Sequence, residues 1–145
     1  MIREGYNGVI RFKIGGVAAA GAWAELTNIK DVTFSLEAAE ADATSRGSGG
    51  WKQDVPTIRS ASVEFQMIWD NANPVFAAFA AAFTAQTHAE KVIGLQVFSE
   101  DGGDGLQADF AIFQFSRNEE LAELMTADVV MKPTYSLTAP AWVTP

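Results

Sequence analysis

Alternating hydrophobic and polar residues are the main pattern of the chain, and they predict β-strands. The clearest alternation lies between Ser60 and Trp69, where apolar residues fall on one face and polar residues on the other. A strand of this kind is typical of an antiparallel sheet with one buried face. Shorter alternating segments predict further strands at residues 9–14, 29–36, 92–98, 106–116 and 123–131.

One segment has helical periodicity instead of alternation. Asn73 can cap a helix and Pro74 suits its first turn, so we predict a helix from Pro74 to about Gln86. Its apolar stripe follows the spacing i, i+3, i+4 and i+7 and consists of Phe76, Phe79, Ala80 and Phe83. Together these elements predict a mainly β fold, namely an antiparallel β-sandwich or barrel with one flanking α-helix.

The apolar faces of these elements define a core, and the polar faces define a surface. The predicted core contains Val32, Phe34, Val63, Phe65, Met67, Phe76, Phe79 and Phe83. The opposite faces of the second and third predicted strands carry Asp31, Thr33, Ser35, Ser62, Glu64 and Gln66. We therefore expect one side of the sheet to be packed and the other to contact water.

Residues 37–59 separate two predicted strands and show no strong periodicity. Long irregular segments in a compact domain are usually functional, or become ordered against a partner. This one places Trp51 next to Gly49 and Gly50, and tryptophan and arginine are the residues that most often anchor interfaces. We predict a loop that is covered by another protein surface, such as a second copy of the chain. A loop that stays free in solvent is the alternative.

Composition narrows the possible functions. The 145 residues fit one domain. The chain has 18 acidic and 10 basic residues, which gives a formal charge of −8. This charge argues against a protein that binds nucleic acid tightly or attaches to an anionic membrane. An acidic surface still suits a protein that lets a polyanion slide past. The chain has no cysteine, which excludes disulfides and thiol catalysis.

The sequence offers no complete catalytic site. His88 is the single histidine, so a small hydrolase would depend on His88 with a carboxylate, and an ordinary surface role is favoured. The glycine-rich segment from Gly102 to Gln107 approaches a calcium-binding repeat, but it occurs once and fits a hairpin turn better. No combination of residues supplies an acid, a base and an oxyanion donor together. We expect no enzyme, no metal and no cofactor.

Targeting signals are weak. The longest unbroken apolar run, Val75 to Phe83, is too short to span a bilayer. A basic stretch at Arg11 and Lys13 followed by small residues mimics a signal peptide, but its alternation favours a strand, so we expect synthesis in the cytoplasm. A secreted carbohydrate-binding β-sandwich is the main alternative function. Its sugar platforms would be Trp23, Trp51 or Trp142.

Three segments of the chain also resemble a known family. The run from Leu36 to Lys52, followed by Pro56 and by the run from Arg59 to Val63, resembles the major tail tube proteins of long-tailed bacteriophages. Related chains occur in prophages and gene transfer agents. The run from Ala127 to Thr134 resembles their final strand. The fold implied by the resemblance is similar to that of the hexameric tube protein of type VI secretion.

The resemblance implies a structural subunit of a virion tail. Six copies would form a ring, rings would stack into a hollow tube, and genome DNA would pass through without specific binding. Implied partners are other copies and the tape measure, terminator and baseplate proteins, with no membrane. On this hypothesis the subunit contacts include Asp42, Arg46, Trp51, Lys52 and Arg59. The six polar residues from Asp31 to Gln66 named above are then candidates for the lumen.

Overall fold

Antiparallel strands account for most of the regular structure in the computed structural model, which describes residue 2 and residues 4–145. The strands are β1 (Val9–Ile14), β2 (Ala24–Glu25), β3 (Ile29–Asp42), β4 (Asp54–Ile68), β5 (Ile93–Phe98), β6 (Gly105–Asn118), β7 (Thr126–Pro133) and β8 (Ala141–Val143). The helices are α1 (Pro74–Thr84) and α2 (His88–Lys91), and short 3-10 turns occupy Gly5–Asn7 and Arg46–Ser48. The predicted fold class, mainly β and antiparallel with one flanking helix, is confirmed.

The strands form one sheet in the order β2-β1-β5-β6-β7-β4-β3, and β8 pairs with the first residues of β6. Most neighbours in this order follow each other along the chain, whereas β1 with β5 and β4 with β7 are pairs of strands distant in sequence. The sheet is curled, so that residues from strands near both of its ends line one open, mainly apolar cavity of about 760 Å³. Ile10 and Val97 line this cavity from one end of the sheet, and Phe34 lines it from the other.

Helix α1 covers the apolar face of the sheet. Asn73 caps it by accepting a hydrogen bond from the Val75 backbone N–H at 2.9 Å, as the sequence predicts. Phe79 is fully buried and meets the rings of Phe12 and Phe65 edge-on, with centroid distances of 5.4 and 6.4 Å. Within the described residues, no helix is long and apolar enough to cross a membrane.

Two predicted core residues are exposed instead. Val32 is 44% exposed because a bulge interrupts the pairing of β3 with β4 between Lys30 and Thr33. Asp31, inside this bulge, has a left-handed φ of 55°, which an aspartate tolerates better than a branched residue does. Phe83 is 42% exposed near the end of α1, where its ring stacks on Phe115.

Candidate assembly interface

The main departure from the predicted fold is the segment at residues 37–59, which is a β-hairpin and not a loop. Strands β3 and β4 stay paired out to Asp42 opposite Asp54, and only residues 43–53 form the turn. Strand β7 stops pairing with β4 at Val63. The nine residues of β4 before Val63 therefore have β3 as their one strand neighbour, and at ~3.3 Å per residue they span about 30 Å. We call residues 36–60 the arm.

The arm does not pack on its own chain. Every residue from 36 to 60 is exposed except Ser48, which is half-buried. Apolar side chains share this exposure, with Trp51 at 76% and Ile58 at 79%. Both long edges of the arm also present unpaired backbone groups, which natural proteins usually cover or pair with another strand. In an isolated chain the arm therefore leaves apolar side chains and unpaired strand edges in contact with water.

The turn of the arm, residues 43–53, is nevertheless well defined by its own hydrogen bonds. Thr44 donates its backbone N–H to Asp42 Oδ1 at 2.8 Å, and its Oγ1 accepts from the Gln53 backbone N–H at 2.9 Å. Hydrogen bonds from the side chain and backbone of Thr44 lower the pKa of the Asp42 carboxyl. Gly49 and Gly50 have φ values of 63° and 84°, in the region that favours glycine. A floppy loop is therefore a poor description of this segment.

The predicted interface residues all lie on the arm. Trp51 and Lys52 are in the turn with Arg46, and Lys52 makes an exposed ion pair of 3.6 Å with Asp54. Arg59 lies near the base of the arm, paired with Ala38. Within the part of the chain that the structure describes, neither Arg46 nor Arg59 forms an ion pair.

Five of the six predicted lumen residues share one face of the sheet. Thr33 lies opposite Glu64 and Ser35 opposite Ser62, and Gln66 follows on the same side. Their neighbours along β4, Val63 and Met67 among them, point into the core. Asp31 does not belong to this ladder, because it lies inside the bulge of β3.

This polar face is not uniformly acidic. The pairing of β4 and β7 places Asp128 beside Gln66 on this face. Strand alternation places Lys132 on the same face, because its neighbour Met131 is buried on the other. Lys132 Nζ lies 5.9 Å from the ring of Phe113, a residue 58% exposed in the bulge of β6. Acidic and basic side chains therefore both lie on this face of the sheet.

Sequence reasoning missed a second exposed surface, in the loop of residues 119–125 between β6 and β7. We call it the end loop. It combines three carboxylates, Glu119, Glu120 and Glu123, with Leu121 at 98% and Leu124 at 74% exposure. Glu119 pairs with Arg117 at 3.5 Å. A hydrogen bond to Glu123 and the charge of Glu123 raise the pKa of Glu120. The repeated Glu-Leu spacing was the available signal.

A second unpredicted feature is the buried carboxylate of Asp109, which is 3% exposed. It accepts hydrogen bonds from the Val17 backbone N–H at 2.6 Å and from Ser136 Oγ. Asp109 thus joins β6 to the loop after β1 and to the segment after β7. The approach is close enough that a Cβ on Gly94 would lie 2.7 Å from Val17 N. These contacts fasten two irregular segments to the sheet.

His88, Trp23 and Trp142, the candidates for other functions, make contacts within their own chain. His88 Nε2 lies 2.7 Å from the Tyr135 carbonyl oxygen, and Lys13 Nζ lies 4.7 Å from the Trp23 ring centroid. Trp142 belongs to β8. Among the described residues, no group of three or more histidines and carboxylates could hold a metal ion.

A curled antiparallel sheet with one packed face, one polar face and an arm that its own chain leaves uncovered is an architecture suited to a structural protein that contacts other copies. The sequence profile of the phage tail tube proteins matches residues 4–138, so the chain belongs to the phage tail tube protein family. It is a structural subunit of a tail tube and is located in the virion tail. No individually curated protein matches the chain.

Solved structures of low identity share the fold. The tail of an empty gene transfer agent particle, refined with C6 symmetry, matches with a TM-score of 0.75 at 20% identity, covering 99% of this chain and 100% of that one. The native gene transfer agent virion matches with 0.72 at 18%, with the same coverage. The sheath–tube complex of an extracellular contractile injection system matches with 0.60 at 7%, covering 99% and 93%.

Proposed function

We propose that this subunit builds stacked rings, six copies to a ring, that form a hollow conduit for genome DNA. The observation that carries the proposal is the arm. It extends for about 30 Å with open strand edges and an exposed tryptophan, and a surface of this kind is normally covered by another protein surface, here a second copy. The ring number is supported by the C6 symmetry of the gene transfer agent tail that shares this fold. On this proposal residues 1–145 act as one assembly unit.

The arm residues would carry the contacts between copies. Asp42, Arg46, Trp51, Lys52 and Arg59 are proposed as interface residues, and Trp51 is the anchor because buried aromatic side chains dominate binding energy. Edge strands of neighbouring copies would pair across the ring and remove the exposed edges of the sheet.

The polar face of the sheet is the proposed lumen. Thr33, Ser35, Ser62, Glu64 and Gln66 are the candidates on the shared face, and Asp31 is a candidate at its rim. Mixed charge with many neutral polar groups would let DNA pass, because tight phosphate binding needs clustered cations. Tape measure, terminator and baseplate proteins are the proposed partners at the two ends and inside the tube. The subunit would be made in the cytoplasm of the bacterial host and would have no catalytic role.

The test is negative-stain electron microscopy of the purified protein, with sedimentation at increasing concentration. We expect rings or tubes with a central hole. A monodisperse monomer at high concentration would contradict the proposal. The alternative, a secreted carbohydrate-binding module, is not favoured by family membership; binding to a glycan array by a monomer is the result that would revive it.

A further inference from the structure

The turn of the arm and the end loop lie at opposite ends of the same strand. Strand β4 begins at Asp54, directly after the turn, and ends at Ile68, which pairs with Thr126 directly after the end loop. The Trp69 backbone N–H donates to the Met125 carbonyl at 3.0 Å, which fixes the end loop to this end of the strand. The 15 residues of β4 span about 50 Å at ~3.3 Å per residue. The two surfaces cannot meet within one chain.

The two surfaces are complementary in charge. The turn carries Arg46 and Lys52 on exposed positions, and the end loop carries Glu119, Glu120 and Glu123. Lys52 and Glu119 already have partners in their own chain, Asp54 and Arg117. The cation left without an ion pair among the described residues of the turn is Arg46, and the carboxylates crowded against each other are Glu120 and Glu123. Lys30 lies in the same pocket and already favours the ionised form of Glu120. A guanidinium between Glu120 and Glu123 would relieve the repulsion that remains.

The end loop also offers a space of suitable size. A shallow pocket of about 260 Å³ lies beside it, lined by Gln66, Asn118, Glu120, Glu123, Leu124 and Lys30. A planar guanidinium has five N–H donors, and carboxylate and side-chain amide oxygens such as those in this pocket can accept hydrogen bonds from them. Leu124, which lines this pocket, and Leu121 in the same loop are both largely exposed. They provide the apolar platform that an exposed indole ring needs.

We propose that the pocket of Glu120 and Glu123 receives Arg46 from a second copy displaced along the strand axis, while Trp51 of that copy packs on Leu121 and Leu124. The contact is head-to-tail, so it leaves the same two surfaces free at the ends of the pair and extends without closing. It is the contact between rings, and it rests on the proposed function of tube assembly. The proposal names the end loop as the surface that the arm of the next copy contacts, which the arm alone does not identify.

A charge exchange tests this contact. Glu120→Arg and Arg46→Glu should each leave folded protein that forms rings but no tubes, and should raise the critical concentration for tube growth at least tenfold, because like charges then face each other. The double variant, with the charges exchanged, should regain tubes. Glu90→Arg on α2 is the matched control and should assemble as the unchanged protein does.

The outcomes separate the two proposals. If the unchanged protein forms no rings or tubes, the proposed function fails. If it forms tubes and Glu120→Arg forms them equally well, tube assembly stands and the receiving surface is wrong. Loss of tubes in both single variants without recovery in the double variant also counts against the Arg46–Glu120 pairing.

Thiol cross-linking gives a second test that does not depend on charge. The chain has no cysteine, so Gly47→Cys with Leu121→Cys places one thiol at each surface, and a Cβ on Gly47 meets ordinary contact distances. A short bis-maleimide should then yield a ladder of covalent multimers from assembled protein. Gly47→Cys with Thr84→Cys, at the exposed end of α1, is the control pair. Ladders of equal strength from both pairs, or none from the first pair in intact tubes, would overturn the contact.

Discussion

The two halves of β4 behave as parts of different structures. In the second half, Val63, Phe65 and Met67 are 0%, 3% and 0% exposed and belong to the hydrophobic core, where the Phe65 ring meets Phe79 of α1. In the first half, residues 54–60 are all exposed and have one strand neighbour. One continuous strand therefore stabilises the subunit at one end and, on the proposed function, presents a surface for assembly at the other. Stability and assembly should respond to different substitutions along it.

The largest expected effect is on the packed half. Phe79→Ala removes the ring that touches both Phe12 and Phe65, and a buried phenylalanine truncated to alanine costs about 3–5 kcal/mol of unfolding free energy. Chemical denaturation followed by circular dichroism measures this loss. Assembly should fail together with folding. A variant of unchanged stability would show that α1 does not hold the sheet, and the contrast between the two halves would lose its basis.

Next in size is the effect of Trp51→Ala on the arm. We expect the free energy of unfolding to change by less than about 0.5 kcal/mol, because an exposed side chain makes few contacts in the subunit. Tube assembly should weaken by about 2–4 kcal/mol in subunit affinity, the range of an interface anchor. Analytical ultracentrifugation and electron microscopy measure it, with Tyr135→Ala, another exposed aromatic, as control. Normal tubes from Trp51→Ala would remove the anchor from the arm.

A smaller effect is expected at the buried carboxylate of the sheet. Asp109→Ala leaves the Val17 N–H and the Ser136 hydroxyl without their acceptor, which costs about 1–3 kcal/mol. Thermal unfolding measures the loss. Asp104→Ala is the control, because Asp104 also accepts a hydrogen bond from a serine hydroxyl, that of Ser99, but at an exposed position. Equal losses in the two variants would mean that burial of Asp109 has no special role.

The smallest effect is electrostatic and concerns the end loop. Because Glu123 raises the pKa of Glu120 by hydrogen bonding and charge, Glu120 binds a proton at a higher pH than an ordinary glutamate does. Glu123→Ala removes both the hydrogen-bond partner and the neighbouring charge, and should move that titration to lower pH. NMR titration of the Glu120 side chain measures it at a concentration that keeps the protein monomeric. An unchanged titration would show that the two carboxylates do not interact.

The sequence predicts the packed parts of this fold and misses the exposed ones, for a physical reason. Alternation along Ser60 to Trp69 and the stripe from Phe76 to Phe83 exist because one face of each element is buried. The arm is paired through backbone hydrogen bonds while both of its faces contact water. The arm therefore needs no alternating hydrophobic pattern, and the sequence of its strands predicts a loop. Strands β2 and β8, with two and three residues, are too short to alternate.

The candidate site shows the same division. Trp51 is conspicuous in the sequence because a tryptophan beside two glycines is unusual, whatever conformation surrounds it, and its role at an interface stays a prediction. The face shared by Thr33 and Glu64 follows from alternation, but the bulge that removes Asp31 and Val32 from their expected faces depends on a single left-handed residue. The end loop escapes prediction because its carboxylates resemble an ordinary solvated turn until Leu121 and Leu124 are seen to stand clear of the core.

The shape of the arm has a consequence for the form of the filament. Two-stranded ribbons twist more strongly than strands in a wide sheet, always with the same hand. Over the span of the arm this rotates its turn about the long axis relative to the body of the subunit. On the proposed contact between rings, a copy seated on that turn would be rotated as well as raised. The stacked rings would then form a helical tube, and the twist of this one hairpin would contribute to the rotation from each ring to the next.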